Sequence, residues 1–244
     1  MSASKTRSDV YLAIFDDGLS HATGVPRNVC MNSGLFVSSV SYNYSVDGSA
    51  TESVTLVGND RFWNTAHGVL HQTPLVAWGT DNISTNIGGD DAPLSGVVRR
   101  TDVDLSASTL PAEIKTNGGD DGGDNNFHVQ SIAVSTDLGQ ENIQELGRFG
   151  PYTRYATFPI EVTCEFEVIA TSGDLISVSG NAPNLVDRTI TIKDTAGTVI
   201  SLGSKNKLSS VSYSGGDTGG GNSTVTYSYS NFNDLTVDGG TAHA

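Results

Sequence analysis

A mainly β fold is predicted, and three observations carry the prediction. Ile160, Val162, Cys164, Phe166 and Val168 alternate strictly with Glu161, Thr163, Glu165 and Glu167. That is a period of two, with one dry and one wet face. The chain carries 28 Gly with abundant Ser, Thr, Asn and Asp, and only 36% of it is apolar. Such residues favour turns and weaken helix interiors. One hairpin pattern also occurs twice. Val37-Ser38-Ser39-Val40-Ser41-Tyr42 matches Leu208-Ser209-Ser210-Val211-Ser212-Tyr213, and Val54-Thr55 matches Val225-Thr226. Both matches share one offset, 211 − 40 = 225 − 54 = 171 residues.

In chain order, Val10–Phe15 reads as a strand and "HATGVPRN" as a loop. The first hairpin covers residues 36–58. Residues 59–78 give a mixed pattern of loop and helical turn. Residues 79–126, with "GGDDAP" and "NGGDDGGDNN", read as an extended loop or arm within a single domain of 1–244, with a short strand near Val97–Leu105. "FHVQSIAVS" is strand-like. Residues 137–146 read as a short helix: Thr136 or Asp137 can cap it, Ile143 and Leu146 share a face, and Gly147 can end it. The strand Ile160–Ile169 follows, then "ISVSG", a strand pair turning at Thr195-Ala196-Gly197, and the second hairpin at 208–232. About ten strands and one helix suit a β-sandwich.

Charge and cysteine usage narrow the function. Thirteen Lys+Arg face 27 Asp+Glu, a net charge of −14. A duplex-binding protein needs clustered cations. Arg99-Arg100, the one adjacent pair, reads as a solvated turn. Cys164 is expected inward beside Val162 and Phe166 as a buried free thiol, with a disulfide to Cys30 the lesser alternative. The opening stretch has no apolar run of secretory-signal length, and no run approaches a membrane helix, so a soluble chain made in the cytoplasm is expected.

No catalytic or cofactor constellation emerges. His67 and His71 stand four apart without the HExxH pattern, so they read as loop histidines. Asp120–Asn126 is rich in oxygen ligands but lacks the calcium-loop spacing. "GGDTGGGN" has no following Lys-Ser/Thr and reads as a hairpin tip. Asp16-Asp17 would point to opposite faces of a strand. Trp63, Trp78, Tyr152 and Tyr155 are able to stack on sugars, with core packing the preferred reading of each. No enzyme, no metal and no cofactor is expected.

Parity gives each hairpin two chemically uniform faces. Val40, Tyr42, Tyr44 and Val46 with Val54 and Leu56 form one side of the first hairpin; Ser39, Ser41, Asn43 and Ser45 with Ser53 and Thr55 form the other. The second repeats this: Val211, Tyr213, Val225, Tyr227 and Tyr229 oppose Ser210, Ser212, Ser214, Thr224, Thr226, Ser228 and Ser230. Val37 and Leu208 break parity, and a β-bulge at Ser38-Ser39 and at Ser209-Ser210 would return them to the apolar side. Long charged side chains are nearly absent from these hydroxyl faces. That reads either as compositional bias or as the wall of a confined passage. Four such strands per subunit leave open edges that cyclic association can close. Six subunits would give a barrel of about 24 strands, wider than the roughly 16–18 that already leave a water-filled channel.

The hairpins "VSSVSYNYSVDGSATESVTLVGN" and "KLSSVSYSGGDTGGGNSTVTYSYSNFND", with "IAVSTDLGQENIQELGRFGPYTRYATFPIEVTCEFEVI" between them, resemble bacteriophage tail tube (major tail) proteins over roughly half the chain. The resemblance implies a β-sandwich with one flanking α-helix, here 137–146. It implies two long hairpins that join those of neighbouring subunits in a ring-shaped β-barrel. It also implies a virion structural protein in hexameric rings, stacked as a tail tube through which DNA passes without specific binding. The hydroxyl residues named above would line the lumen, and 79–126 would reach an adjacent ring. Tape measure, terminator or sheath proteins would be partners, and the virion tail the location. The runner-up reading is a virion decoration or receptor- or glycan-binding module. On the tail tube reading, the negative charge keeps DNA from sticking.

Overall fold

The computed structural model describes residues 8–14, 27–58, 60–64, 98–105, 110–111, 114, 128–147, 151–169, 186–195, 197–215 and 223–238. The first half of the chain provides β1 (Ser8–Ile14), β2 (Asn28–Ser45), β3 (Thr51–Val57), β4 (Asp60–Asn64), a 3-10 turn at Arg100–Asp102 and β5 (Val103–Asp104). The second half provides β6 (Val129–Asp137), β7 (Gln140–Ile143), β8 (Thr153–Ala156), β9 (Glu161–Ile169), β10 (Thr191–Asp194), β11 (Val199–Ser201), β12 (Lys207–Ser214), β13 (Thr224–Phe232) and β14 (Thr236–Asp238).

The large sheet contains a run of six strands in the order β3-β2-β6-β9-β13-β12, antiparallel at every step. The two similar hairpins therefore occupy its opposite edges, with β6 and β9 between them. β2 is 18 residues long, about 60 Å of chain. Its second half pairs with β3 and β6, and its first half continues past them to pair with β1 and β4. β3 and β4 follow one register along β2, since Val37↔Leu56 and Met31↔Phe62 give the same sum, 37 + 56 = 31 + 62. The edge begun by β3 is thus extended by β4.

A second sheet, β14-β11-β10-β5, supplies the other side of the core. Period-two alternation on β9 and β13 drives Val162, Cys164, Phe166 and Val168, with Val225, Tyr227 and Tyr229, inward. They form one cluster with Ile132 and Val134 of β6 and with Ile190, Ile192, Ile200 and Leu202 of the smaller layer. Phe166 and Tyr229 meet edge to face at 6.1 Å and 81°. Both cysteines are buried and free, and burial pushes the Cys164 thiol well above its ordinary ionisation range.

A buried amide pair ties the layers. Asn231 Nδ2 on β13 donates to Asn206 Oδ1 at 2.7 Å, and Asn206 Nδ2 reaches the carbonyls of Arg188 and Leu202. Gly203, with φ +66°, is needed beside them, because a Cβ there would strike the Asp234 carboxylate.

Four expectations are corrected. Residues 137–146 are not a helix: Asp137 ends β6, and Gln140–Ile143 is β7, paired with β8 in a two-stranded ribbon. Asp137 Oδ1 accepts from Gly139 N, so the residue expected as a helix cap closes a tight turn instead. Part of the expected arm belongs to the core, where Leu110 and Ile114 are buried; the rest of 79–126, apart from 98–105 and Pro111, lies outside the described residues. Trp63, Tyr152 and Tyr155 are exposed rather than packed inside, and Trp78 lies outside the described residues. The hydroxyl-bearing face spans a run of six strands of the eight-stranded sheet, not four.

Candidate functional site

Both expected bulges are present. Register shifts fall between Val37 and Ser39 and between Leu208 and Ser210. Leu208 is thereby buried, whereas Val37 stays exposed at the sheet margin. The first bulge opens two carbonyls that the β7–β8 ribbon takes up: Leu138 N donates to Ser38 O at 2.7 Å, and Gln140 Nε2 donates to Val37 O at 3.1 Å. In the second, Ser209 Oγ donates to Ser228 O at 2.8 Å.

Because antiparallel partners share a face, the registers can be read as rows across the sheet. One row runs Thr51, Asn43, Ala133, Glu165, Ser228, Ser210. The next runs Ser53, Ser41, Ser135, Thr163, Ser230, Lys207. Ser45, Ser131, Glu167, Thr226 and Ser212 form a third. Ser39 and Thr55 continue one end beside Asp137, and Thr224 and Ser214 the other beside Ile169. Every residue expected on the two hydroxyl surfaces lies on one continuous face. Part of that face is concave, with a hollow of about 430 Å³ lined by Ser39, Ser41, Ser53, Ser135, Asp137 and Glu161 among others.

The central strands add a feature that the hairpins do not show. β9 places Glu161, Glu165 and Glu167 on this face, and β6 adds Ser131, Ser135 and Asp137. The expectation of almost no long charged side chain holds for the hairpin strands and fails for the middle of the sheet. The alternation of glutamates in the sequence was the available signal. What could not be read locally is that β9 lies between the hairpins. Lys207, the cation on these rows, is paired with Asp187 at 2.6 Å, and that contact holds the Asp187 carboxyl below its ordinary range.

The other face is apolar, and its coverage is unequal. Tyr44 joins the core cluster and Tyr42 packs against it, while Val54 and Leu56 on β3 are exposed. Tyr42 donates from its hydroxyl to Glu52 Oε1 at 3.0 Å; burial and then this bond push its ionisation up. Burial, then the nearby Asp194 carboxylate, raise Tyr44. At the opposite edge, Tyr213 of β12 is exposed and Val211 half-buried.

Arg99 and Arg100 are exposed at the 3-10 turn, beside a small cavity of about 70 Å³ against Tyr44 and Ile132. Among the described residues no cluster of three or more His, Cys, Asp or Glu is placed to hold a metal. Among them, too, no helix is long and apolar enough to cross a membrane. His67, His71, Asp16-Asp17, Asp120–Asn126 and the hairpin tip at 216–222 lie outside the described residues. No protein-family model matches the chain, and no curated protein matches it.

Proposed function

We propose that this chain is a structural virion protein whose copies join edge to edge into rings, stacked as a phage tail tube around a channel for DNA. The carrying observation is the six-strand hydroxyl and acidic face ending in two edges of matched chemistry. β3 offers Ser53 and Thr55 on that face with Val54 and Leu56 behind; β12 offers Ser210, Ser212 and Ser214 with Val211 and Tyr213 behind. An even number of antiparallel strands makes β3 and β12 run in opposite directions. Rotating copies about an axis along the strands then sets β12 of one antiparallel to β3 of the next. Hydroxyls meet hydroxyls and apolar side chains meet apolar ones. The apolar face is backed by the second sheet, as in a β-sandwich, so the hydroxyl face is the one free to enclose a lumen.

Ring size follows from the strand count. Six copies closing through all six strands make a barrel of about 36 strands, and four copies make about 24. The resemblance to tail tube proteins favours six.

An edge lysine blocks strand addition. Val54→Lys is expected to abolish rings in negative-stain images while leaving the far-ultraviolet circular dichroism of the dilute chain unchanged. Rings of normal diameter from this variant would overturn the edge assignment. A decoration or glycan-binding module is the second reading, supported by exposed Trp63, Tyr152 and Tyr155. Compact particles without a pore that bind a glycan would favour it.

A further inference from the structure

Hydroxyls are common phosphate ligands, so a face of serine and threonine is not inert toward DNA by composition alone. Each hydroxyl has one proton to donate, and phosphate oxygens only accept. Along the middle of the face four of those protons are already engaged. Ser131 Oγ donates to Glu167 Oε2 at 3.1 Å, and Ser228 Oγ donates to Glu165 Oε1 at 3.1 Å. The Ser135 and Thr163 hydroxyls lie 2.8 Å apart, and Thr163 Oγ1 is 3.4 Å from Ser135 O, so one arrangement occupies both protons.

We propose that Glu165 and Glu167 hold the Ser228 and Ser131 hydroxyl donors sideways within the sheet, so that a phosphodiester meets carboxylate acceptors in place of those two donors at the centre of the face. This rests on reading the face as a channel wall. The carboxylates act twice: they repel the phosphate, and through charge-assisted bonds they withhold the donors that would grip it. At the margin of the rows the Lys207 charge is balanced by Asp187. Ser131 and Ser228 are positioned, not positioning, residues: alone they add no affinity while the glutamates remain.

Charge and donor effects separate in a cycle on the full chain, titrated with a short fluorescein-labelled DNA duplex at low salt. The unmodified chain and S131A/S228A are expected to show no binding. E165A/E167A is expected to bind. Adding S131A/S228A to it is expected to weaken that binding about tenfold, the worth of one or two hydroxyl–phosphate bonds. Equal affinity of the fourfold and twofold variants would overturn donor withholding, leaving charge as the whole effect; no binding by E165A/E167A would overturn it as well. Glu165→Val with Glu167→Val replaces the alanine pair if that chain does not fold, since valine suits a strand. The channel reading is tested apart from this, by imaging: tubes with this face inward preserve it whatever the titration gives, and their absence removes it while the titration still reports on the isolated chain.

Discussion

Tyr227 and Tyr229 of the second hairpin are wholly buried beneath the smaller sheet, whereas Val54 of the first is 44% exposed and Leu56 37%. The two hairpins share a sequence pattern, a bulge and a place next to an edge, but the inner strand of the second is the more fully covered. The buried cluster takes Leu208, Val225, Tyr227 and Tyr229 from the second hairpin and only Tyr44 from the first. Alternation assigns each side chain to a face; which part of that face is sheltered depends on where the second layer lies. The apolar side chains of the edge strands, Val54 and Leu56 of β3 and Tyr213 of β12, lie beyond that shelter.

The largest expected effect falls on the covered hairpin. Tyr229→Ala removes a buried ring that meets Phe166 edge to face, and it should cost about 3–5 kcal/mol in urea unfolding of the dilute chain. A loss below about 1 kcal/mol would show that the second layer does not cover β13 in solution.

Alkali gives a smaller effect that compares both regions. Cys164 under the second layer and Tyr42 on the first hairpin have native ionisations raised above their ordinary values of 9.0 and 10.0. The native state holds these protons more tightly than the unfolded chain. The stability they contribute is therefore full below those values and is lost as pH rises above them. Melting temperature should fall from about pH 9 upward, and Tyr42→Phe should flatten the part of the fall above about pH 10. An unchanged slope in that variant would remove Tyr42 from the account.

The smallest effect belongs to the uncovered strip. Val54→Ala should change the stability of the dilute chain by no more than about 0.5 kcal/mol. A loss of about 2 kcal/mol would mean that β3 is covered within its own chain.

Local pattern carried much of the fold. The strand Ile160–Ile169, both hairpins and both bulges follow from alternation and its interruptions, because a period of two is written in neighbouring residues. The ribbon of β7 and β8 was not legible. Ile143, Leu146 and Gly147 mimic a helix end, yet Gln140–Ile143 is held by Thr153–Ala156, a partner that no local pattern reveals. The same limit hid the width of the candidate site. Glu165 and Glu167 were visible as the wet side of a strand, and their place between Ser131 and Ser228 depends on strand order. Trp63, Tyr152 and Tyr155 were assigned to a core on residue type, but Trp63 stands on β4, Tyr152 just before β8 and Tyr155 on β8, all outside the main cluster.

A cryo-electron-microscopy map of particles assembled from the purified full chain tests the central claim most directly. The account predicts stacked rings in which β12 of each copy pairs with β3 of the next and Ser41, Glu165 and Ser212 face the hollow. A map with those side chains on the outer surface, or with copies that enclose no pore, would contradict it.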